Sequence, residues 1–338
     1  MKKYFLAAAL AVLSATVHAQ IGETDNIKKS LSLENKDTIA WIHNGVFQAG
    51  LNEGILHNWS AGGEVASLTV NALFSGNLTR LYHTDVWSND VNLAYSLFYA
   101  YSNHFVPKKV DDRIDFTSKY GKQIKTGKPY FITTLFNFKS QFTRGYDYTI
   151  KDWSSSPTSD FMSPAYFTLA IGAEYRKGTS LSIFLSPLAA RLTTAATRYT
   201  NQKGGAFGIE QGKTTRFELG AYFSARYNAD ITKNMNFKTR LDLYSNYLAK
   251  NKTDDKGNMI YDNPGNVDVY FDNLFTWKLS KHFATVLGLT MIYDNDFPYS
   301  KTYIDKTTGV EVAKEEPAEG LGWLQFRQLF SLGFEYKF

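Results

Sequence analysis

The final stretch of the chain, Leu324 to Phe338, reads LQFRQLFSLGFEYKF and alternates along almost its whole length. Leu324, Phe326, Phe330, Leu332, Phe334, Tyr336 and Phe338 hold one parity, broken only by Gln328. Gln325, Arg327, Ser331, Gly333, Glu335 and Lys337 hold the other, broken only by Leu329. Successive strand residues point to opposite faces, so this is a strand with one apolar and one polar side. About 15 residues is far beyond the ~5–6 of an ordinary strand. Soluble sandwiches alternate too. A strand this long, ending on an aromatic ring, suits one that crosses a bilayer obliquely in a transmembrane β-barrel.

The start of the chain bears on that choice. MKKYFLAAALAVLSATVHA places Lys2 and Lys3 before an apolar run and ends on Val17-His18-Ala19. This is a charged region, a hydrophobic region and a small-x-small cleavage site, so residues 1–19 read as an export signal cleaved near Ala19. The apolar run falls short of the ~20 residues a spanning helix needs. Residues 20–39 carry mixed charge without a period and read as a periplasmic lead-in; the barrel is expected over 40–338. With no cysteine in the sequence, disulfides, thiol chemistry and an N-terminal lipid anchor are not expected. Aromatic residues make up 16% of the chain, with 22 Tyr and 25 Phe, as the interfacial girdles of an outer-membrane barrel require. The net charge of +5 is not gathered into a basic block, which argues against nucleic acid as a partner.

The alternation recurs. Strands are predicted at 39–52, 67–80, 86–101, 113–120, 130–144, 165–176, 181–192, 216–227, 236–248, 267–278 and 283–293, before the terminal one. The 216–227 strand is the cleanest, with Phe217, Leu219, Ala221, Phe223, Ala225 and Tyr227 against Arg216, Glu218, Gly220, Ser224 and Arg226. Pro187 cannot donate to a ladder and marks a bulge. Connections 83–85, 121–128, 177–179, 229–234 and 280–282 are short; 145–164, 197–214, 249–266 and 295–323 are long. Short and long alternate, as periplasmic turns and outward loops do in an up-and-down barrel. The expected fold is therefore all-β, a transmembrane antiparallel β-barrel of about 12 strands in the outer membrane, with both termini periplasmic. Its expected partners are outer-membrane lipid, the barrel-assembly machinery through the C-terminal strand, and another outer-membrane protein.

In that register Arg113, Asp115, Lys119, Lys139, Glu174, Arg176, Arg216, Glu218, Arg226, Lys238, Arg240, Asp242, Asp268, Asp272, Arg327 and Glu335 point into the lumen. A barrel of this size is wider than the ~8-stranded kind that side chains fill and narrower than the ~16–18-stranded open porins. Two readings stand. One is a narrow channel for small polar or anionic solutes. The other is an ion-pair network that plugs the lumen of a structural or accessory subunit, which docks on an outer-membrane or surface complex through its long loops.

Enzyme readings fail on inventory. Of six histidines, His18 lies in the export signal, leaving His43, His57, His83, His104 and His282. A hydrolase needs a nucleophile and base within hydrogen-bond reach. His57 near Ser60, with Asp85 or Asp90 as orienter, is the one local arrangement, and Asp90 falls inside the lumen. No histidine pair has metal-ligand spacing, and no metal or cofactor is expected. Acidic loop residues Asp254, Asp255 and Asp262 do not form an EF-hand loop.

The block His57-Asn58-Trp59-Ser60-Ala61-Gly62-Gly63-Glu64 lies between the first two strands. Gly62 and Gly63 free the backbone for a tight turn, and Trp59 suits an interface position. Asn58, Trp59, Gly62, Gly63 and Glu64 are also candidates for partner or ligand recognition. This block, with Asp111-Asp112-Arg113-Ile114, Ser118-Lys119-Tyr120-Gly121, Phe142-Thr143 and Gly145-Tyr146, resembles a family of outer-membrane barrels known as a domain of unknown function. Phe161-Met162-Ser163-Pro164-Ala165-Tyr166, Leu185-Ser186-Pro187-Leu188, Gly205-Ala206-Phe207-Gly208, Leu241-Asp242-Leu243-Tyr244-Ser245-Asn246-Tyr247 and Ile292-Tyr293-Asp294 extend the resemblance from about Trp41 to Phe338. It implies an outer-membrane barrel and brings no substrate, reaction or catalytic residue.

Overall fold

A computed structural model describes residues 39–55, 65–148, 153–178, 180–202, 204–253, 259–260, 263–280, 282–294, 301–304, 311–314 and 324–337. The export signal, most of the lead-in and the block 57–64 lie outside the described residues, as does most of the 295–323 loop.

Twelve strands form one closed barrel. They are β1 (Ala40–Ile55), β2 (Ala66–Tyr82), β3 (Asp85–Ala100), β4 (Lys108–Gln123), β5 (Tyr130–Ser140) and β6 (Ala165–Lys177). The second half is β7 (Leu181–Thr194), β8 (Thr215–Thr232), β9 (Met235–Asn246), β10 (Val267–Lys278), β11 (Phe283–Tyr293) and β12 (Leu324–Lys337). Each strand pairs antiparallel with the next, and β1 closes on β12. The short turns and both strand termini share one end of the barrel; the long loops share the other.

The alternation of the sequence is the alternation of the wall. Large apolar side chains such as Leu169, Ile171, Phe217, Phe275 and Phe330 stand exposed on the outside. At the short-turn end the outer face carries a belt of rings: Trp41, Trp87, Tyr120, Tyr130, Tyr227, Trp277 and Tyr336 are all exposed. Two of the polar tips turn to partners. The indole of Trp87 donates to Ser118 Oγ at 3.0 Å, and the Tyr120 hydroxyl donates to Asp85 at 2.7 Å. Rings with an apolar body and a satisfied polar tip are what a boundary between hydrocarbon and water selects.

Two departures from the predicted strands have local causes. β5 stops at Ser140 instead of running to 144. The carboxylate of Asp112 on β4 captures the backbone N–H of Phe142 at 2.7 Å and of Thr143 at 2.9 Å, and this draws the chain out of the ladder. On β7 the bulge lies at Pro187, where pairing slips against both β6 and β8. Ile183 and Leu185 face outward before it, Leu188 and Leu192 after it. One extra residue inverts the parity of everything that follows. Arg191 therefore points inward. Gly172, opposite the bulge, leaves room for it: a Cβ there would meet the Leu185 carbonyl oxygen at 2.1 Å.

The lumen is not wholly polar. Leu135, Ala170, Phe184, Ala189, Tyr222 and Tyr244 form a buried cluster inside the wall made by β5 to β9. Leu81, Val86 and Phe131 form another near the short turns. At these two places the inner face packs like a soluble core.

Candidate functional site

The inward residues predicted from the sequence are brought together in stacked layers. Nearest the short turns, Glu174 on β6 accepts from Lys119 Nζ at 2.6 Å, Ser182 Oγ at 2.6 Å, Thr133 Oγ1 at 2.8 Å and Arg176 Nε at 3.0 Å. Arg176 reaches on to Ser88 of β3 at 3.1 Å. Above it, Arg226 on β8 crosses the lumen to Asp90 on β3 at 3.1 Å and to Thr117 on β4 at 3.2 Å.

The middle layer also spans opposite walls. Arg240 on β9 meets Asp115 on β4 at 2.7 Å and its own neighbour Asp242 at 2.6 Å. Asn137 donates to Asp115 and Ser224 to Asp242, each at 2.7 Å. Tyr270 on β10 accepts from Arg113 at 3.1 Å, and the Lys139 ammonium sits 4.3 Å from the centre of its ring. Towards the long loops, Arg191 pairs with Asp268 at 2.7 Å and lies 3.7 Å over the Tyr244 ring. Arg216 pairs with Glu218 at 3.1 Å, Arg327 with Asp111 at 2.5 Å, and Thr290 donates to Asp272 at 2.6 Å. Lys238 faces inward on the same row of β9.

Burial sets the character of these layers. Asp115, Lys119, Glu174 and Asp242 are 2–6% exposed. Charges that leave water at this cost must be paired and hydrogen-bonded, and each carboxylate has two to four donors. The Ser182 hydroxyl accepts from Lys119 at 2.7 Å and donates to Glu174 at 2.6 Å, so it closes a three-membered network with the ion pair. Among the described residues no group of three or more His, Cys, Asp or Glu is placed to hold a metal ion.

Of the loop candidates, Asn58, Trp59, Gly62, Gly63 and Glu64 lie outside the described residues, as do His57, Ser60, Asp254, Asp255 and Asp262. The structure adds a loop contact that alternation does not reach. Asp160, in the connection after β5, accepts from Arg144 Nε at 3.1 Å and also from Arg198, in the connection after β7. Ser163 Oγ accepts from the Ala196 N–H at 3.0 Å in the same place. The two connections are fastened to each other at the long-loop end.

Partial burial alone would raise the Asp160 carboxyl, but the Phe161 N–H and the two guanidiniums outweigh it and hold the pKa below the ordinary 3.8. A carboxylate depressed in the folded state contributes stability above its unfolded pKa and loses it as pH falls through the folded value. The latch is thus expected to hold at neutral pH and to weaken only in acid, below about the ordinary carboxylate range. Proteolysis between β5 and β6, followed against pH, should show cleavage rising in acid in the wild type. Asp160→Asn should be cleaved readily at every pH; a wild type equally protected at pH 3 would discount the latch.

The chain has limited likeness to proteins of known structure. It aligns with the translocator domain of the autotransporter NalP from Neisseria meningitidis at 10% identity over 93% of each chain, with a TM-score of 0.38. It aligns with BamA from Haemophilus ducreyi, lacking POTRA domains 1–3, at 12% identity over 90% of this chain and 71% of that one, with a TM-score of 0.22. No curated protein is significantly similar to the chain. Residues 51–146 match the model of a family described as a protein of unknown function, DUF3078, and that span holds the blocks from Asn58 through Tyr146 on which the resemblance was first drawn.

Proposed function

We propose that this chain is an outer-membrane β-barrel with a closed lumen, serving as a membrane-anchored structural or docking subunit. One observation carries the reading: Arg226–Asp90 and Arg240–Asp115 tie opposite walls together across the middle of the lumen. The narrow-channel reading rests on inward charge, and here the inward charges are spent on one another. The exposed apolar wall and its aromatic belt support the membrane setting. The long-loop end, fastened at Asp160, is then the face presented to partners. The C-terminal strand, apolar on its outer face, fits recognition by the assembly machinery. In this reading the protein is not an enzyme and needs no cofactor.

Single-channel recording in a planar bilayer tests it. The wild type is expected to be electrically silent. Arg226→Ala combined with Arg240→Ala removes both cross-lumen ties and is expected to yield discrete steps that grow with salt. A wild type that conducts in such steps would return the reading to a channel.

A further inference from the structure

A cavity of about 360 Å³ opens on the outer face of the wall, towards the long-loop end. Tyr95 and Leu97 of β3 line it from the wall, and both share the outward parity of Trp87. Lys109 of β4 stands opposite Leu97 and Asp112 opposite Tyr95, so these two also face outward. The other side is the chain that leaves β5. Because the Asp112 carboxylate holds the N–H groups of Phe142 and Thr143, that segment lies over the outer face, and Thr143, Arg144, Tyr146 and Tyr148 line the cavity from it. Every lining residue is among the described ones.

The tyrosines are held in place before any ligand arrives. The Tyr146 and Tyr148 rings stand 6.1 Å apart, and Trp153 packs on them at 5.2 and 5.0 Å. Rings fixed by one another present flat apolar faces at little further cost in entropy. Their hydroxyls are held as well. Tyr148 accepts from the Lys109 backbone N–H at 3.1 Å, Tyr146 accepts from the Arg144 side chain, and Tyr95 lies 3.4 Å from Thr143 Oγ1. A phenol that accepts a hydrogen bond still has its own proton to give.

Charge narrows what fits. Lys109 and Arg144 are the charged lining residues, so a ligand bearing an ammonium is turned away. An anion gains little, because both cations already sit on carboxylates. The Lys109 ammonium gives its three N–H groups to Asp112 at 3.0 Å, the Thr143 carbonyl at 3.0 Å and Gln141 Oε1 at 3.4 Å. The Asp112 side chain beneath it is 1% exposed, so the pair is a buried neutral unit. Arg144 gives Nε to Asp160 at 3.1 Å, and its 54% exposed guanidinium has further N–H groups at the rim. The volume lies at the small end of the ~300–1,000 Å³ of ligand pockets, too small for a strand or a helix. What remains is a small uncharged ligand with an apolar face and a hydrogen-bonding edge.

We propose that this cavity binds a sugar ring of a saccharide. The C–H bonds of a pyranose make an apolar face that lies on a tyrosine ring, and the hydroxyls around its edge both give and take hydrogen bonds. Tyr146 and Tyr148 supply the platform, and their hydroxyls and the Arg144 guanidinium meet the edge. Two sources share this chemistry: the glycosylated head group of a lipid in the adjoining leaflet, and an oligosaccharide in solution. Only the lipid source rests on the membrane reading above. The cavity lies outside the wall, so its occupancy is independent of whether the lumen conducts.

Saturation-transfer NMR on the full-length protein in phosphatidylcholine nanodiscs, with maltose, lactose and chitobiose as probes, tests the proposal. Transfer to the ring C–H protons of at least one probe is expected. It should fall several-fold in Tyr146→Leu combined with Tyr148→Leu, which keeps apolar bulk and removes the flat rings and hydroxyls. Tyr95→Leu, on the wall and independent of the loop, should lower it as well. Tyr120→Leu, in the aromatic belt at the other end, should leave it unchanged. No transfer from any of the three probes, or equal transfer in the variants of the cavity, overturns the proposal. Transfer abolished by an equal concentration of inorganic phosphate makes an anion the occupant and overturns it too. Nanodiscs containing a glucosyl diacylglycerol separate the sources. Loss of transfer to the soluble probe there supports a lipid head group in the cavity, and unchanged transfer supports a soluble saccharide.

Discussion

Glu174→Gln is expected to lower folding stability by about 3–5 kcal/mol, the range for removing one partner of a buried ion pair. Glu174 is 2% exposed and is the common acceptor for Lys119, Arg176, Thr133 and Ser182. Glutamine keeps the shape but supplies one neutral oxygen, leaving two cations facing each other without their counter-charge. The loss measures that stranding and not the worth of the pair, because desolvation offsets most of the attraction in a buried pair. Adding Lys119→Met should therefore recover part of the loss, since Arg176 retains Ser88. Urea unfolding in lipid vesicles, followed by tryptophan fluorescence, gives both values and the coupling between them. A loss from Glu174→Gln below about 1 kcal/mol, the value of a hydrated surface pair, would mean that water reaches this layer. The closed-lumen reading would then fail at its lower end.

How much of this was legible in the sequence depends on how far parity carries. Where a strand runs unbroken, as in β8, each side chain's face follows from its number: Arg216 pairs with Glu218, two residues on, and Arg226 reaches Asp90 across the lumen. Parity fails where the backbone adds a residue. Arg191 was missed because Pro187 signals a bulge without saying that every later residue changes face. Parity also ignores depth of packing. Ser224 lies on the lumen face, where alternation alone suggests tolerance, yet it is buried against Asp242. Nor does a two-residue period distinguish an aromatic ring that lines the lumen from one that faces lipid when the inner face is itself part apolar. Tyr222, Tyr244 and Tyr270 therefore escaped notice as lumen residues. The closure of β1 on β12 and the Asp160 latch depend on residues far apart in the chain, and no local pattern encodes a meeting of that kind.

Leu241→Arg carries the sharpest test of the membrane setting. Leu241 stands between Arg240 and Asp242 in β9, so it shares the height of the middle layer of the lumen while facing the opposite way. Its cross-strand neighbours are Ala225 on β8 and Phe271 on β10, both on the outer face. In a bilayer this height is near the midplane, where an arginine on the lipid face costs roughly 2–4 kcal/mol. In a water-soluble barrel the same side chain would extend into solvent and cost within about 0.5 kcal/mol, as surface substitutions do. Trp277→Arg supplies the calibration, since it lies on the same face but in the aromatic belt at the short-turn end. There the charge reaches water, and its bilayer penalty should fall to ~0–1 kcal/mol apart from the lost ring. Unfolding of each variant in vesicles of increasing acyl length separates the two terms, because only the midplane penalty grows with hydrocarbon thickness. Equal and small losses at Leu241 in every vesicle would remove the bilayer from the account of this outer wall. A loss that climbs with thickness at Leu241 and stays flat at Trp277 fixes both the orientation of the wall and the level at which its ion pairs lie.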